Sequence, residues 1–281
     1  MSITIQQWLY QAKQLLATTS DRLIILDLEI LLAYALQQSR AYLHAWPEYE
    51  LSDQEVNLAN DYLRRRQHHE PMAYIIGERE FWSLELLVSR DTFIPRPETE
   101  LLVETVLKIG EKLNDPLKIA DLGTGCGAIA LALACERSLW QIYATDISEH
   151  ALDIAKQNAQ RLGVKNLAFI HGNWCTALPY RDFDVIVSNP PYIAESEWER
   201  YADQLLFEPR QALVSGETGL DAIREISSSA KHFLKPTGFL VVEHGFSQGG
   251  AVRDLFAKMG YTGIVTIRDL SGNERMTVGQ V

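Results

Sequence analysis

The chain has 281 residues, a formal net charge of −11 and 47% apolar residues. This length predicts one large domain with a smaller one, and the composition is that of an ordinary soluble globular protein. The negative charge argues against sequence-independent nucleic-acid binding, because phosphate backbones would be repelled. Three widely spaced cysteines argue against disulfides and a zinc site. With no evident signal peptide and no apolar run long enough to cross a bilayer, we expect a cytoplasmic protein.

Residues 1–70 show only helical patterns, with apolar side chains at three- and four-residue spacing. Ser52 and Glu55 predict a capping box at the start of one helix. Its end carries Arg64-Arg65-Arg66, which we interpret as cations at the negative end of the helix. The alternative is a contact surface for an acidic or RNA-bearing partner. We therefore predict a small helical bundle.

Residues 71–95 predict a linker built on a β-hairpin. The segments 73–77 and 81–88 are rich in β-formers and are separated by a charged turn. Two prolines then hold the segment 93–97 extended before a helix begins near Glu98.

Residues 96–281 alternate between short apolar strands and helices. The main predicted strands are 118–122, 141–146, 167–171, 184–188 and 238–243. Helices are predicted at 128–136, 148–162 and 219–234. This alternation predicts a doubly wound α/β domain with a mostly parallel sheet covered on both faces. The last two strands, 264–268 and 276–281, flank a turn, so the sheet should finish with an antiparallel strand, which is typical of class I methyltransferases.

A glycine-rich loop follows the first strand of this domain, in the run Asp121-Leu122-Gly123-Thr124-Gly125-Cys126-Gly127. Glycines at alternate positions let the backbone turn and let a ligand approach closely, and the next helix offers free amides. The following strand ends at Asp146, whose carboxylate can accept hydrogen bonds from both ribose hydroxyls at the same sheet edge. These features predict a nucleoside-containing cofactor. The motif alone leaves NAD and S-adenosylmethionine equally open.

The segment Asn189-Pro190-Pro191-Tyr192 decides between them. Neither proline carries an N–H, so the strand stops and the backbone stays extended. The Asn189 side-chain carbonyl and the Pro190 backbone carbonyl can accept the two hydrogens of an NH2 group, and Tyr192 offers an aromatic face. Such hydrogen bonds strengthen as positive charge develops on an amide nitrogen. A dehydrogenase has no evident use for the segment, so we predict S-adenosylmethionine-dependent methyl transfer that needs no metal.

Several motifs occur here in the order seen in the PrmC/HemK family, and the chain resembles that family over essentially its full length. They are the segment 93–100, the glycine loop, Ser188-Asn189-Pro190-Pro191-Tyr192-Ile193, Phe207-Glu208-Pro209, Glu243-His244-Gly245 and Asn273-Glu274-Arg275. The resemblance implies methylation of the side-chain N5 of the glutamine in the Gly-Gly-Gln motif of bacterial class 1 peptide chain release factors. It implies a release factor as partner. Because a pocket that holds a single side chain needs further surface to select one protein, we expect residues 1–70 to dock this partner. We expect no direct DNA binding, no membrane association and a monomer.

The resemblance also implies roles for individual residues. The implied catalytic residues are Asn189, Pro190 and Tyr192. The residues implied to bind the glutamine amide are Asn189, Pro190, Pro191 and Tyr192. The cofactor is implied to contact Gly123, Thr124, Gly125, Cys126, Gly127, Asp146, Trp174 and Asn189, with Asp146 at the ribose and Trp174 by the adenine. Asn173 departs from the family, which often has an acid there, although its carbonyl can still accept a hydrogen bond.

Less specific roles are expected for the remaining motifs. Phe93 and Pro95 are candidates for walls of the glutamine pocket or for linker packing. For His244 we favour a structural role over catalysis. Glu274 and Arg275 either brace the substrate loop or cap a hairpin.

Two other functions stay open from the residues alone. Asn-Pro-Pro-Tyr also occurs in DNA adenine-N6 methyltransferases, but this acidic chain has no basic recognition region outside Arg64-Arg65-Arg66. A non-catalytic adaptor that binds the release factor or the ribosome through its helical domain is the other alternative.

Overall fold

The computed structural model describes residues 3–16, 21–114 and 116–281. The chain divides into two compact units, of which the first ends at Gly77 and the second begins at Glu78. The hairpin that the sequence assigns to a linker therefore belongs to the larger unit. Within the described ranges, no helix has the length and apolar character needed to span a membrane.

The smaller unit is a helical bundle, as the sequence predicts. Its core is formed by apolar side chains spaced along the helices, among them Ile5, Trp8, Leu32 and Leu63. A two-residue antiparallel strand pair, which the sequence does not predict, closes the bundle. Its elements are β1 (Ile3–Thr4), α1 (Ile5–Leu16), α2 (Asp21–Ala35), α3 (Arg40–Ala45), β2 (Glu50–Leu51), α4 (Asp53–Gln67) and α5 (Met72–Ile76).

The capping box at the start of α4 is confirmed. The Ser52 hydroxyl accepts a hydrogen bond from the Glu55 N–H, and the Glu55 carboxylate accepts one from the Ser52 N–H at 2.7 Å. These two bonds satisfy backbone donors that the first turn of a helix leaves free.

The three arginines at the end of α4 form ion pairs within the helical unit. Arg64 pairs with Asp61 in the preceding turn, Arg65 with Glu70 at 2.8 Å, and Arg66 with Asp27 of α2 at 2.9 Å. These pairs give the arginines a local structural role, which suits the interpretation that we favour from the sequence.

The strand predicted at 73–77 is wrong, because this segment is the short helix α5. Gly77 ends the helix with a φ of 84°, a left-handed conformation that suits glycine. The Arg65 guanidinium donates hydrogen bonds to the carbonyls of Tyr74 at 2.9 Å and Ile75 at 3.4 Å. The hairpin begins at Glu78 instead, with strands β3 (Glu78–Phe81) and β4 (Leu84–Leu87).

The larger unit contains a sheet of seven strands with helices on both sides. The order across the sheet is β10-β11-β9-β8-β5-β6-β7, in which β9, β8, β5, β6 and β7 run parallel to one another and β11 is antiparallel to both β9 and β10. This confirms the predicted class I methyltransferase architecture. Its elements are α6 (Glu100–Gly110), β5 (Lys118–Leu122), α7 (Ala128–Glu136), β6 (Gln141–Asp146), α8 (Glu149–Leu162), β7 (Leu167–His171), β8 (Phe183–Ser188), α9 (Trp198–Leu205), α10 (Asp221–Ala230), β9 (Leu234–Glu243), α11 (Gly249–Lys258), β10 (Thr262–Arg268) and β11 (Glu274–Gln280).

The register of the central strands determines where the functional segments meet. Leu122 of β5 lies opposite Ser188 of β8 on one side and Thr145 of β6 on the other, and Ser188 lies opposite Val242 of β9. Parallel strands end at the same sheet edge, so the loops after β5, β6, β8 and β9 are neighbours in space.

Candidate active site

A cavity of about 550 Å³ lies at this edge of the larger unit. It is lined by nearly all the site residues predicted from the sequence, namely Gly123, Thr124, Gly125, Cys126, Asp146, Trp174, Asn189, Pro190, Pro191 and Tyr192. Gly127 is the exception. A Cβ on Gly127 would lie 2.9 Å from Leu131 Cδ1 and 3.2 Å from Ala155 Cβ, so this glycine permits close packing between helices behind the loop.

The glycine loop owes its shape to left-handed backbone conformations. Gly123, Gly125 and Gly127 have φ values of 71°, 58° and 89°, which side chains with a Cβ rarely adopt. The loop is also tied to the neighbouring strand, because the N–H groups of Gly123 and Thr124 both donate to the carbonyl of Thr145, at 2.8 and 3.0 Å. The backbone thus holds an open concave surface toward the cavity.

Asp121 holds the loop from behind. Its Oδ2 accepts hydrogen bonds from the Thr124 hydroxyl at 2.6 Å and from the Ala130 N–H at 3.2 Å. Its Oδ1 is buried and has no hydrogen-bond partner among the described residues. Burial raises the pKa of this carboxyl to about 7, although both hydrogen bonds act in the opposite direction.

Asp146 lies beside the loop, at the end of β6. Its two carboxylate oxygens accept hydrogen bonds from the N–H groups of Gly125 at 2.8 Å and Ser148 at 2.9 Å. Each oxygen keeps a second lone pair, so the carboxylate can still accept hydrogen bonds from a ligand's hydroxyls. Burial raises the pKa of Asp146, and the two N–H groups favour its charged form.

Trp174 packs against the other side of the glycine loop. A Cβ on Gly123 would lie 2.8 Å from Trp174 Cζ3, so the ring fits only because residue 123 is a glycine. Trp174 itself has a φ of 40°, an uncommon conformation for a non-glycine residue. The neighbouring Asn173 donates a hydrogen bond from its side-chain Nδ2 to Glu225 Oε1 at 2.7 Å. This bond does not use the side-chain carbonyl oxygen of Asn173.

The Asn189 side chain is oriented by Thr99. Its Nδ2 donates a hydrogen bond to Thr99 Oγ1 at 3.1 Å. Among the described residues, no group donates a hydrogen bond to its Oδ1. The Asn189 carbonyl oxygen is therefore available as an acceptor at the cavity. Pro190 and Pro191 line the cavity next to it, and neither can donate a backbone hydrogen bond.

Tyr192 is fixed at both its backbone and its side chain. Gln248 Nε2 donates to the Tyr192 carbonyl at 3.0 Å, and Tyr192 Oη donates to Glu243 Oε1 at 3.4 Å. Gly219 lies against the same carbonyl, where any Cβ would come within 2.2 Å of the oxygen. Burial, followed by the charge of Glu243, raises the pKa of Tyr192, so the ring remains a neutral phenol at neutral pH.

The segment from Phe93 to Arg96 forms one wall of the cavity, which Phe93 and Pro95 both line. Glu208 holds this wall, because its buried carboxylate accepts the Ile94 N–H at 3.1 Å and pairs with the Arg96 guanidinium. Arg96 in turn stacks 4.8 Å from the centre of the Phe93 ring. The bracing role of Glu208 is not predicted from the sequence, although its motif is noticed there.

The residue that follows β9 is a structural histidine and does not line the cavity. His244 is fully buried, and its Nε2 lies 3.0 Å from the Thr277 hydroxyl. Burial lowers the pKa of His244, which keeps the imidazole neutral. This agrees with the structural role favoured from the sequence.

Glu274 and Arg275 form two separate ion-pair groups. Glu274 pairs with Arg253 at 3.0 Å and with Arg268 at 2.9 Å, which ties the hairpin of β10 and β11 to α11. Arg275 pairs with Asp269 in the hairpin at 2.8 Å and approaches Glu98, a cavity-lining residue, at 3.9 Å.

Thr99 and Glu243 are site residues that sequence reasoning does not identify. Both are buried and both contact the Asn189–Tyr192 segment. The available signal for Glu243 is its position in the sheet. Val242, the residue before Glu243, lies opposite Ser188, the residue before Asn189. The register that reveals this neighbourhood depends on the folded sheet.

Comparison with known proteins identifies the family. Residues 7–77 match the PrmC N-terminal domain and residues 96–219 match the methyltransferase small domain. A release factor glutamine methyltransferase from Coxiella burnetii is 48% identical over 263 residues, which cover 94% of this chain and 94% of the relative. The chain belongs to the release factor glutamine methyltransferase family.

A further relative agrees with this assignment, and a solved structure shares the fold. The release factor glutamine methyltransferase of Salmonella typhimurium is 45% identical over 279 residues, covering 98% of each chain. A methyltransferase structure from Pyrococcus furiosus has a TM-score of 0.52 at 17% identity, covering 79% of this chain and 98% of that one, and it shows the shared fold alone. Among the described residues, no group of three or more His, Cys, Asp or Glu side chains is arranged to hold a metal ion.

Proposed function

We propose that this protein transfers a methyl group from S-adenosylmethionine to the side-chain N5 of the glutamine in the Gly-Gly-Gln motif of bacterial class 1 release factors. Family membership supports the reaction class and the substrate class. The observation that carries the proposal within the cavity is the orientation of Asn189, whose NH2 group is bound by Thr99 and whose carbonyl oxygen is free. A free acceptor at this position suits a substrate that presents an NH2 group.

The methyl donor fits the half of the cavity built from the glycine loop. Gly123 and Gly125 offer a surface without Cβ atoms, and the Asp146 carboxylate retains lone pairs for ribose hydroxyls. Thr124, Cys126 and Trp174 would complete this half, and Gly127 would support it from behind. When bound, S-adenosylmethionine supplies an electrophilic methyl group on a sulfonium.

The substrate amide fits the half formed by Asn189, Pro190, Pro191 and Tyr192. The Asn189 Oδ1 and the Pro190 carbonyl would each accept one hydrogen of the glutamine NH2 group, and the neutral Tyr192 ring would cover the planar amide. Two acceptors hold the nitrogen toward the donor methyl group. They also bind more strongly as the nitrogen gains positive charge, which favours the transition state over the ground state.

We further propose that the helical unit docks the release factor. A cavity that holds a single side chain cannot by itself select one protein, so additional surface is needed for that selection. The match of residues 7–77 to the PrmC N-terminal domain and the relatives that cover nearly the full chain support this role.

The proposal is tested by incubating the protein with labelled S-adenosylmethionine and a release factor. We expect label in the release factor, and no label when its glutamine is replaced by alanine. An adenine-containing DNA duplex is the matched negative substrate for the DNA alternative, which the net charge of −11 disfavours. Labelled DNA with unlabelled release factor would reverse the assignment.

A further inference from the structure

The main chain of Pro190, Pro191 and Tyr192 is held by one side chain. Neither proline has an N–H to donate, and the two rings fix φ at both positions. Among the described residues, the only hydrogen bond to this stretch of main chain comes from Gln248, whose Nε2 donates to the Tyr192 carbonyl at 3.0 Å. The direction of the Pro190 carbonyl, one of the two proposed acceptors for the substrate, therefore depends on where this bond holds the end of the segment.

The Gln248 amide joins three loops at the cavity edge of the sheet. Besides its bond to Tyr192, Nε2 donates to the Thr218 carbonyl at 3.3 Å, and Oε1 accepts from the Gly245 N–H at 2.8 Å. Tyr192 follows β8, Gly245 follows β9 and Thr218 precedes α10. An amide has two N–H hydrogens for two carbonyls and an oxygen for an N–H, so it suits this junction where an acid or an apolar side chain does not.

Two glycines make room for this amide. A Cβ on Gly219 would lie 2.2 Å from the Tyr192 carbonyl oxygen and 2.7 Å from Gln248 Nε2, and a Cβ on Gly245 would lie 3.0 Å from Gln248 Oε1. The two main-chain segments thus approach the glutamine more closely than side chains with a Cβ would allow. Gln248 itself does not line the cavity, so contact with a ligand does not account for it.

The peptide group between Tyr192 and Ile193 is bound at both of its ends. Its carbonyl accepts from Gln248, and its N–H donates to the carbonyl of Leu213, a cavity-lining residue, at 2.8 Å. The plane of this peptide group cannot rotate without breaking one of the two bonds. Because the prolines before it have few free torsions, a fixed plane here restricts the direction of the Pro190 carbonyl.

We propose that Gln248 is a positioning residue for methyl transfer, which holds the Tyr192–Ile193 peptide group and thereby directs the Pro190 carbonyl toward the substrate NH2 group. The inference rests on the proposed function in so far as this carbonyl is a substrate acceptor. Gln248 lies 56 residues from Tyr192 and contacts neither substrate nor donor, so it acts through the main chain that it binds.

Two substitutions of Gln248 test this role. Gln248→Met removes all three hydrogen bonds at similar side-chain length, and we expect kcat to fall roughly tenfold, as for the loss of a hydrogen bond. Gln248→Glu keeps an acceptor for Gly245 but turns a carboxylate oxygen toward two carbonyl oxygens, so its loss of kcat should be larger. The dissociation constant of S-adenosylmethionine should not change in either variant.

The controls separate positioning from stability. Gln160→Met and Gln160→Glu make the same chemical changes at an exposed position of α8 and should keep wild-type kcat. All rates are measured below the thermal midpoint of the least stable variant. Wild-type kcat in Gln248→Met would overturn the inference, and so would a loss of S-adenosylmethionine affinity as large as the loss of kcat.

A double-mutant cycle tests whether Gln248 acts through the Tyr192 carbonyl. The Cβ of Gly219→Ala would come between this carbonyl and Gln248, so the single variant should lose kcat about as Gln248→Met does. Adding Gln248→Met should then cause little further loss. Gly163→Ala has the same left-handed strain without a neighbour and should keep wild-type kcat. A full additional tenfold loss in the double variant would contradict the inference.

NMR on the protein alone tests the contact without any substrate. The sequence contains two Tyr-Ile steps, Tyr74-Ile75 and Tyr192-Ile193. Protein labelled with ¹³C at tyrosine carbonyls and ¹⁵N in isoleucine therefore gives two carbonyl–amide signals, of which Tyr192→Phe removes one. We expect the Tyr192 carbonyl carbon to shift upfield in Gln248→Met, because it loses a hydrogen bond. The Tyr74 signal, whose carbonyl accepts from a side chain of α4 at 2.9 Å, should not move.

The two failures are distinguishable. A Tyr192 carbonyl signal that is unchanged in Gln248→Met would overturn the positioning role whatever the substrate is. Failure of the proposed function would instead appear as a wild-type protein that binds S-adenosylmethionine but leaves the release factor unlabelled.

Discussion

The two halves of the cavity are held in place by different means. The half formed by Gly123–Gly127 takes its shape from its own backbone, with three left-handed glycines and a buried acid from the same run of residues. The half formed by Asn189–Tyr192 is held by side chains that lie far away in the sequence, namely Thr99, Glu243 and Gln248. The donor half is therefore encoded locally, whereas the amide half is assembled by the fold.

The largest effect is expected in the amide half, from Asn189→Ala. Loss of an acceptor that strengthens in the transition state should lower kcat by roughly 100- to 1,000-fold. The dissociation constant of S-adenosylmethionine, measured by calorimetry, should change little. Asn57→Ala makes the same chemical change on an exposed face of α4 and serves as the control. Normal kcat with weakened S-adenosylmethionine binding in Asn189→Ala would show that Asn189 belongs to the donor half and not to the amide half.

A smaller effect is expected in the donor half, from Gly123→Ala. The added Cβ meets the Trp174 ring at 2.8 Å and occupies a left-handed backbone position, so the loop must shift. We expect the dissociation constant of S-adenosylmethionine to rise roughly 10- to 100-fold. Gly163→Ala is the matched control, because Gly163 has a φ of 67° but no atom within 4 Å of the added Cβ. It should lose stability without losing affinity for the donor. Equal losses of affinity in both variants would mean that general strain, not the cavity surface, is responsible.

The smallest effect concerns the acid behind the loop. Because burial raises the pKa of Asp121 from 3.8 to about 7, the folded protein holds a proton that the unfolded chain loses between these values. Stability should therefore fall as pH rises through this window. Asp121→Asn removes this dependence and should raise the melting temperature at pH 8 by roughly 2–4 °C, for a gain of about 1 kcal/mol, with little change at pH 4. A melting temperature that is lower at both pH values would show that the charged form stabilises the loop.

Sequence patterns predict the architecture well where the signal is local. The strands at 118–122, 141–146 and 167–171 and the helix at 128–136 agree residue for residue with the structure. Short apolar runs between turn residues are sufficient there, whether the strand is largely buried, as β5 is, or lies half-exposed at the sheet edge, as β7 does.

Prediction fails where a distant partner decides the structure. The run at 73–77 is rich in strand-forming residues, yet it is a helix whose last carbonyls bind Arg65 of another helix. The hairpin that follows turns at Trp82 and Ser83, both with positive φ, where a turn of this kind normally favours Asn and Gly. Anchors from Glu100 and Glu136, on two later helices, hold Trp82 in this turn.

The same distinction applies to the site. The glycine loop, Asp146 and Asn189–Tyr192 can be identified from the sequence because each has a local pattern with a chemical purpose. Thr99, Glu208 and Glu243 lie in segments that the family resemblance includes, but no local pattern gives these three residues a chemical role. They become recognisable only when the fold brings them against residues 51 to 114 positions away.

The central claim is most directly tested by mass spectrometry of the Gly-Gly-Gln peptide from a release factor incubated with S-adenosylmethionine, with and without this protein. We predict one added methyl group on the glutamine side chain, present only with the active protein and absent with Asn189→Ala. An unmodified glutamine, under conditions where the wild-type protein is shown to bind S-adenosylmethionine, would contradict the account.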